Sequence, residues 1–167
     1  MDYAGDAGTP AASLLKTKLM IHSVISDVKD GTKCMSCDLK YFFLDASMHK
    51  SEYMRILYMY ITQDIRDKYD LDTRLASDGY IYIKIKKGMY GLKQAAVLAF
   101  DNLVENLSIH GYAPIPHTSG IRQHAPRKTK FCLCVDYFRA KYSSKTDAEH
   151  LLNALGQQYT YTVDCTG

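Results

Sequence analysis

The sequence predicts an α+β fold: an antiparallel sheet backed by helices. Three observations carry the prediction. The order of elements read along the chain is helix, strand, strand, helix, hairpin, helix, strand, which is not the strict β-α alternation of a parallel sheet. YIYIKIKK, from Tyr80, alternates apolar and polar positions as a half-buried strand does. FCLCV and FRAKY lie so close together that only a tight antiparallel connection can join them.

Each element has its own signal. Residues 1–8 read as a disordered lead. Thr9 and Pro10 make a helix start, with a side-chain oxygen at the N-cap and a proline at the first helical position. Leu14, Leu15, Leu19, Ile21, Ile25 and Val28 then recur at roughly helical spacing, predicting a helix over 10–27. Asp30-Gly31 is a turn signal. KCMSCDL, 33–39, reads as a short buried strand ending at Asp38. YFFLDASM follows as an irregular aromatic loop, and EYMRILYMYI continues in extended form. Residues 62–76 are polar, with room for one helical turn.

Leu92, Ala96, Ala99, Leu103 and Leu107 recur at steps of four, three, four and four, predicting a long helix that His110-Gly111 stops, with Pro114 beyond. Residues 114–129 form a proline-rich, basic connection. The hairpin of FCLCV and FRAKY has Asp136-Tyr137 at its tip. Thr146 and Glu149 are spaced as a capping box for a helix that carries Ala148, Leu151, Leu152 and Leu155 on one face. QYTYTVDC reads as a final strand.

The chain has 167 residues, 47% hydrophobic and 23% charged, which suits one globular domain. There is no basic start followed by an apolar segment at the N-terminus, and no apolar run approaches the roughly 20 residues that span a bilayer. Five cysteines cannot all pair internally. The expected setting is cytoplasmic or nuclear, with reduced thiols and no membrane partner. Arg122 to Lys145 holds seven Lys/Arg and one acid, Asp136; Lys84, Lys86, Lys87 and Lys93 form a second basic group. A basic stretch surrounding one acid suits a polyanion lying over a metal site; the plain alternative is a solvated face.

Asp38 and Asp136 share a context: each ends an apolar, cysteine-containing strand, and aromatics follow. If the two strands are neighbours, both acids reach one edge of the sheet. Paired carboxylates there can hold two divalent ions about 3.5–4 Å apart, which activate one oxygen and stabilise the leaving one. Mg²⁺ suits oxygen ligands and keeps waters that phosphates displace.

CDLKYFFLDASMHKSEYMRI, IKKGMYGLKQA and FCLCVDYFRAKY, in this order and spacing, resemble three successive motifs of reverse transcriptases of long-terminal-repeat retrotransposons, of the copia type. HGYAPIPHTSGIRQH, DAEHLLNAL and YTVDCTG extend the resemblance over 9–167. It implies a polymerase-palm, ferredoxin-like architecture: a four-stranded sheet on helices, with incomplete fingers and without thumb or RNase H. It implies an RNA-directed DNA polymerase using Mg²⁺ or Mn²⁺, two ions if the site is intact. The implied partners are an RNA or DNA template-primer, deoxynucleoside triphosphates and, ancestrally, the rest of a retrotransposon polyprotein.

Residue by residue, Asp38 matches the first metal-binding aspartate, and Leu39 the position whose carbonyl helps hold a metal. Phe43 matches the aromatic that screens out the ribose 2′-hydroxyl. Tyr90 and Gly91 match positions that contact nucleotide and template, and Asp136 the first of two paired aspartates. The second is Tyr137 here. Tyr41, Arg139 and Cys165 also depart from the pattern. A phenol, with a reference pKa of roughly 10, does not replace a carboxylate at neutral pH. The expected catalysis is therefore impaired.

Other readings compete. Cys34-x2-Cys37 with Cys132-x-Cys134 has the ligand count of a zinc site, but these cysteines fall within strands rather than turns. His117 and His124 have no nearby carboxylate or thiolate in the sequence, and Asp45 reads as a loop acid. A stacking RNA-recognition sheet would carry glycines that KFCLCVDYF lacks. A non-catalytic nucleic-acid-binding remnant of a transposable element, or an inert one, is the alternative to the polymerase reading.

Overall fold

The structure, a computed structural model, describes residues 14–134 and 137–165. The expected lead over 1–8, the Thr9-Pro10 helix start and Asp136 lie outside the described residues.

Four helices and two antiparallel sheets make up the described chain: α1 (Leu14–Ser26), α2 (Gln63–Tyr69), α3 (Lys93–Ile109) and α4 (Lys145–Gly156). The strands are β1 (Lys33–Leu39), β2 (Ser47–Leu57), β3 (Tyr80–Lys87), β4 (Ala113–Ile115), β5 (Thr118–His124), β6 (Thr129–Cys134), β7 (Tyr137–Tyr142) and β8 (Tyr161–Asp164). The main sheet runs β4-β5-β6-β7-β1-β8; β2 and β3 form a separate two-stranded ribbon. All pairings are antiparallel. The fold is thus α+β as expected, but the main sheet has six strands rather than about four.

The two extra strands come from 114–129, expected to be a connection. Pro114 lies on β4, at the sheet's edge, where a missing N–H breaks no interior ladder. His117 takes a positive φ of 57° in the link to β5. Pro114 on the edge strand and the basic turn at 125–128 imitate a loop in the sequence.

Burial alternates along β1: Met35, Cys37 and Leu39 are buried, while Cys34, Ser36 and Asp38 between them are half-buried. The buried set faces the main core with Leu103 and Leu107 of α3, Leu151 and Leu155 of α4, and Phe131, Leu133, Phe138 and Ala140 of the hairpin strands. The opposite face is covered in part by α1, whose Met20 packs on Cys132 and Ile121. Lys141, also buried, pins the end of α1 by bonding the Ser23 carbonyl at 3.1 Å and pairing with Asp27.

The cap of α4 differs from the expectation. Ser144 is the N-cap, its hydroxyl accepting the Asp147 N–H at 3.2 Å, so the helix begins before Thr146. The Thr146/Glu149 spacing is matched by an overlapping pair two positions earlier, Ser144 and Asp147, which does the capping. The 62–76 stretch holds α2 and a 3-10 turn at Leu71–Arg74, more helix than a single turn.

Candidate functional site

β6 ends at Cys134 and β7 begins at Tyr137, so residues 135 and 136 alone join them. Tyr137 is a ladder residue opposite both Cys134 and Asp38, not part of the hairpin tip. β1 and β7 are therefore adjacent, in a register that sets Asp38 against Tyr137. Directly opposed residues in an antiparallel pair have Cα atoms roughly 4.5–5.5 Å apart. Asp136 precedes Tyr137 by one residue in the chain and lies outside the described residues.

β8 brings a second acid. Thr162 is opposite Asp38, and Asp164 is opposite Ser36, so Asp38 and Asp164 are diagonal neighbours on one face, roughly 7–8 Å apart by strand geometry. Ser36, Asp38, Tyr137, Thr162 and Asp164 line one shallow cleft of about 390 Å³. Arg139, opposite Ser36 from β7, adds a cation to the same face. Nothing in the sequence marked Asp164. Its relevance depends on β8 pairing with β1, and 121 residues separate the two strands in the chain (39 to 161).

The donor set fits a hard cation in type. One or two carboxylates with hydroxyls nearby is how Mg²⁺ is commonly held, with water and substrate phosphate completing its shell. Among the described residues no group of three or more His, Cys, Asp or Glu is placed to hold a metal ion.

The cysteines do not converge. Cys34 and Cys37 are three apart on one strand and point to opposite faces. Burial pushes the Cys37 thiol up to about 12, which keeps it protonated as a small core hydrophobe.

The remaining site residues gather where β1 leaves the sheet. Leu39 is buried and pairs with Tyr161. Phe43 is buried and meets the exposed ring of Tyr90 edge-on, with centroids 5.3 Å apart at 74°. Two residues expected to contact nucleotide thus touch each other. The GMYGLKQA segment packs closely against the turn that carries Phe43. Gly88 donates to the Ala46 carbonyl at 2.7 Å and lies so near Phe43 that a Cβ there would collide with its carbonyl oxygen. Gly91 turns the chain with φ +89°. Gln94, buried at the start of α3, donates to Glu52 of β2 at 3.1 Å. Asp45 pairs with Lys87 at 3.5 Å on the surface, as a loop acid would.

A second polar cluster lies away from this cleft. His150 of α4 bonds the Tyr112 hydroxyl through Nδ1 at 3.2 Å, and its ring stands 5.2 Å from His124 and 6.4 Å from His110. Burial lowers the His150 pKa, and Arg127, His124 and His110 lower it further, against Asp147. On acidification the unfolded chain takes up this proton before the folded one. Stability from His150 is therefore complete above about pH 6.5 and is lost as pH falls below it. Urea midpoints measured down to about pH 5.5 should fall less steeply for His150→Gln than for the native chain; parallel curves would contradict this. The lowered carboxyls of Asp64 and Asp78 act in a separate window, below about pH 4.

No protein-family model matches the chain, and no curated protein or solved structure shows significant similarity to it.

Proposed function

We propose that this chain is the palm-derived part of an RNA-directed DNA polymerase of a copia-type retrotransposon, in which nucleotidyl transfer is impaired by Tyr137. The observation that carries the reading is the β1–β7 register, with Asp38 directly opposite Tyr137 on the cleft face of neighbouring strands. Motifs separated by about a hundred residues in the chain meet there, as a shared carboxylate site requires.

Asp38, Asp164 and, by the resemblance, Asp136 would hold a divalent cation, which supplies charge neutralisation to phosphate oxygens when bound. Tyr137 sets a neutral phenol where the reaction needs a fixed anion. The edge-on Phe43–Tyr90 pair limits the space beside the β1 end, which suits discrimination at a sugar by bulk. Template-primer and deoxynucleoside triphosphates are the substrates of this reading.

Two measurements test it. In a Mn²⁺ titration, Tyr137→Asp is expected to raise affinity at least about tenfold over the native chain, since one added charge beside the ion is worth more than 1.4 kcal/mol at surface dielectric. Adding Asp38→Asn should remove the gain. Unchanged Mn²⁺ affinity in Tyr137→Asp would overturn the site. In primer extension on an RNA template with Mg²⁺ or Mn²⁺, the native chain is expected to make no product, and robust synthesis would overturn the impairment.

A further inference from the structure

The β2–β3 ribbon stands apart from the main sheet and has two unlike faces. On the inner one, Ile56 and Ile81 pack with Ile61 and Leu71, and Glu52 is tied to Gln94. On the outer one the register opposes Tyr53 with Lys84 and Arg55 with Tyr82. The four residues form a checkerboard in which each ring has a cation across from it and each diagonal joins like with like, roughly 7–8 Å apart. Tyr53 is 70% exposed and Tyr82 56%. The Arg55 guanidinium lies 4.9 Å from the centre of the Tyr80 ring. Lys86 continues the cationic row along β3, also exposed.

A contiguous patch of exposed aromatic surface marks a place where a partner can bind. These tyrosines have cations beside them, so burial by an apolar partner would strand charge. The one acid at the end of this face, Asp78, is engaged: it accepts from the Tyr82 hydroxyl at 2.7 Å and from the Tyr80 N–H at 3.1 Å. That bond fixes the Tyr82 hydroxyl while the side chain stays exposed. Exposed rings alternating with cations along an extended ribbon match unpaired bases stacked beside a phosphate backbone.

We propose that the outer face of the β2–β3 ribbon, centred on Tyr53, Arg55, Tyr82 and Lys84, is a binding platform for single-stranded nucleic acid. It is separate from the Asp38 cleft and requires no metal ion. A duplex, whose bases are stacked on each other, offers these rings no partner.

The test is fluorescence anisotropy of the full chain with labelled oligothymidylate and oligouridylate of about 12 nucleotides, with EDTA present so that a metal site at Asp38 contributes nothing. The native chain is expected to bind both strands, with affinity falling as salt rises. Tyr53→Ala with Tyr82→Ala should weaken binding at least about tenfold, since each lost stack is worth about that factor. Tyr53→Phe with Tyr82→Phe should retain binding, which separates loss of stacking from loss of fold. Lys84→Ala should reduce the salt slope by about 0.7. Lys145→Gln, removing an exposed cation on α4, should change neither affinity nor slope. Equal binding by the native and double-alanine chains, equal affinity for a duplex of the same length, or no binding at low salt would each overturn the proposal.

Discussion

Phe138→Ala is expected to lower stability by about 3–5 kcal/mol, the usual cost of emptying a fully buried aromatic site. Phe138 is 0% exposed, stacks on Phe131 with centroids 4.4 Å apart, and is paired in register with Leu133 and Cys37. It therefore joins β6, β7 and β1, the three strands whose alignment sets Asp38 against Tyr137. For a chain of this size the midpoint of thermal unfolding should fall by on the order of 10 °C. The neighbouring residue supplies the contrast. Tyr137 is 56% exposed and points to the other face, so Tyr137→Ala should change stability by no more than about 0.5 kcal/mol. Denaturant titration of the two variants reads both values. Similar losses from both would mean that β7 does not present alternate faces as described.

Gly88→Ala is the second large effect, about 3 kcal/mol, and it arises from space rather than from backbone conformation. The added methyl would collide with the Phe43 carbonyl oxygen and sit 3.2 Å from the Ala95 side chain. The backbone atom cannot swing aside, so the 88–92 segment must move off the turn that follows β1. The Gly88 N–H to Ala46 bond and the Phe43–Tyr90 ring contact should loosen together. Gly31→Ala is the calibrating variant: Gly31 has φ +73°, and an added methyl would meet nothing within 4 Å, so only local strain of about 1–2 kcal/mol applies. If Gly88→Ala proves no more costly than Gly31→Ala in urea titration, the close approach at Phe43 is not what this glycine serves.

Much of the fold was legible in the residues. KCMSCDL and YIYIKIKK became β1 and β3 with the boundaries read from them, because apolar runs bounded by turn signals leave little choice. The leucine and alanine steps from Leu92 to Leu107 became α3 for the same reason, period 3.6 being visible over several turns. The β4–β5 hairpin was not legible: β4 is a three-residue edge strand on which a proline is tolerated, and β5, between β4 and β6, is half-buried from Ile121 to His124, so the alternation disappears. The cap of α4 was displaced because Ser144 and Thr146 both suit an N-cap, and local sequence does not rank two such close candidates.

The candidate site divides along the same line. The chain by itself supplied the candidates: a lone aspartate at the end of β1, a phenol after Asp136, and the Gly88-Met89-Tyr90-Gly91 turn before α3. These are properties of side-chain type and near neighbours. Only the tertiary structure decided that Asp38 faces Tyr137, that Asp164 joins them from β8, that Cys34 and Cys37 point apart, and that aromatic and cationic residues of β2 and β3 alternate on one surface. Strand order and register are set by which apolar faces can be buried together, a sum over the whole core that no short stretch of sequence contains.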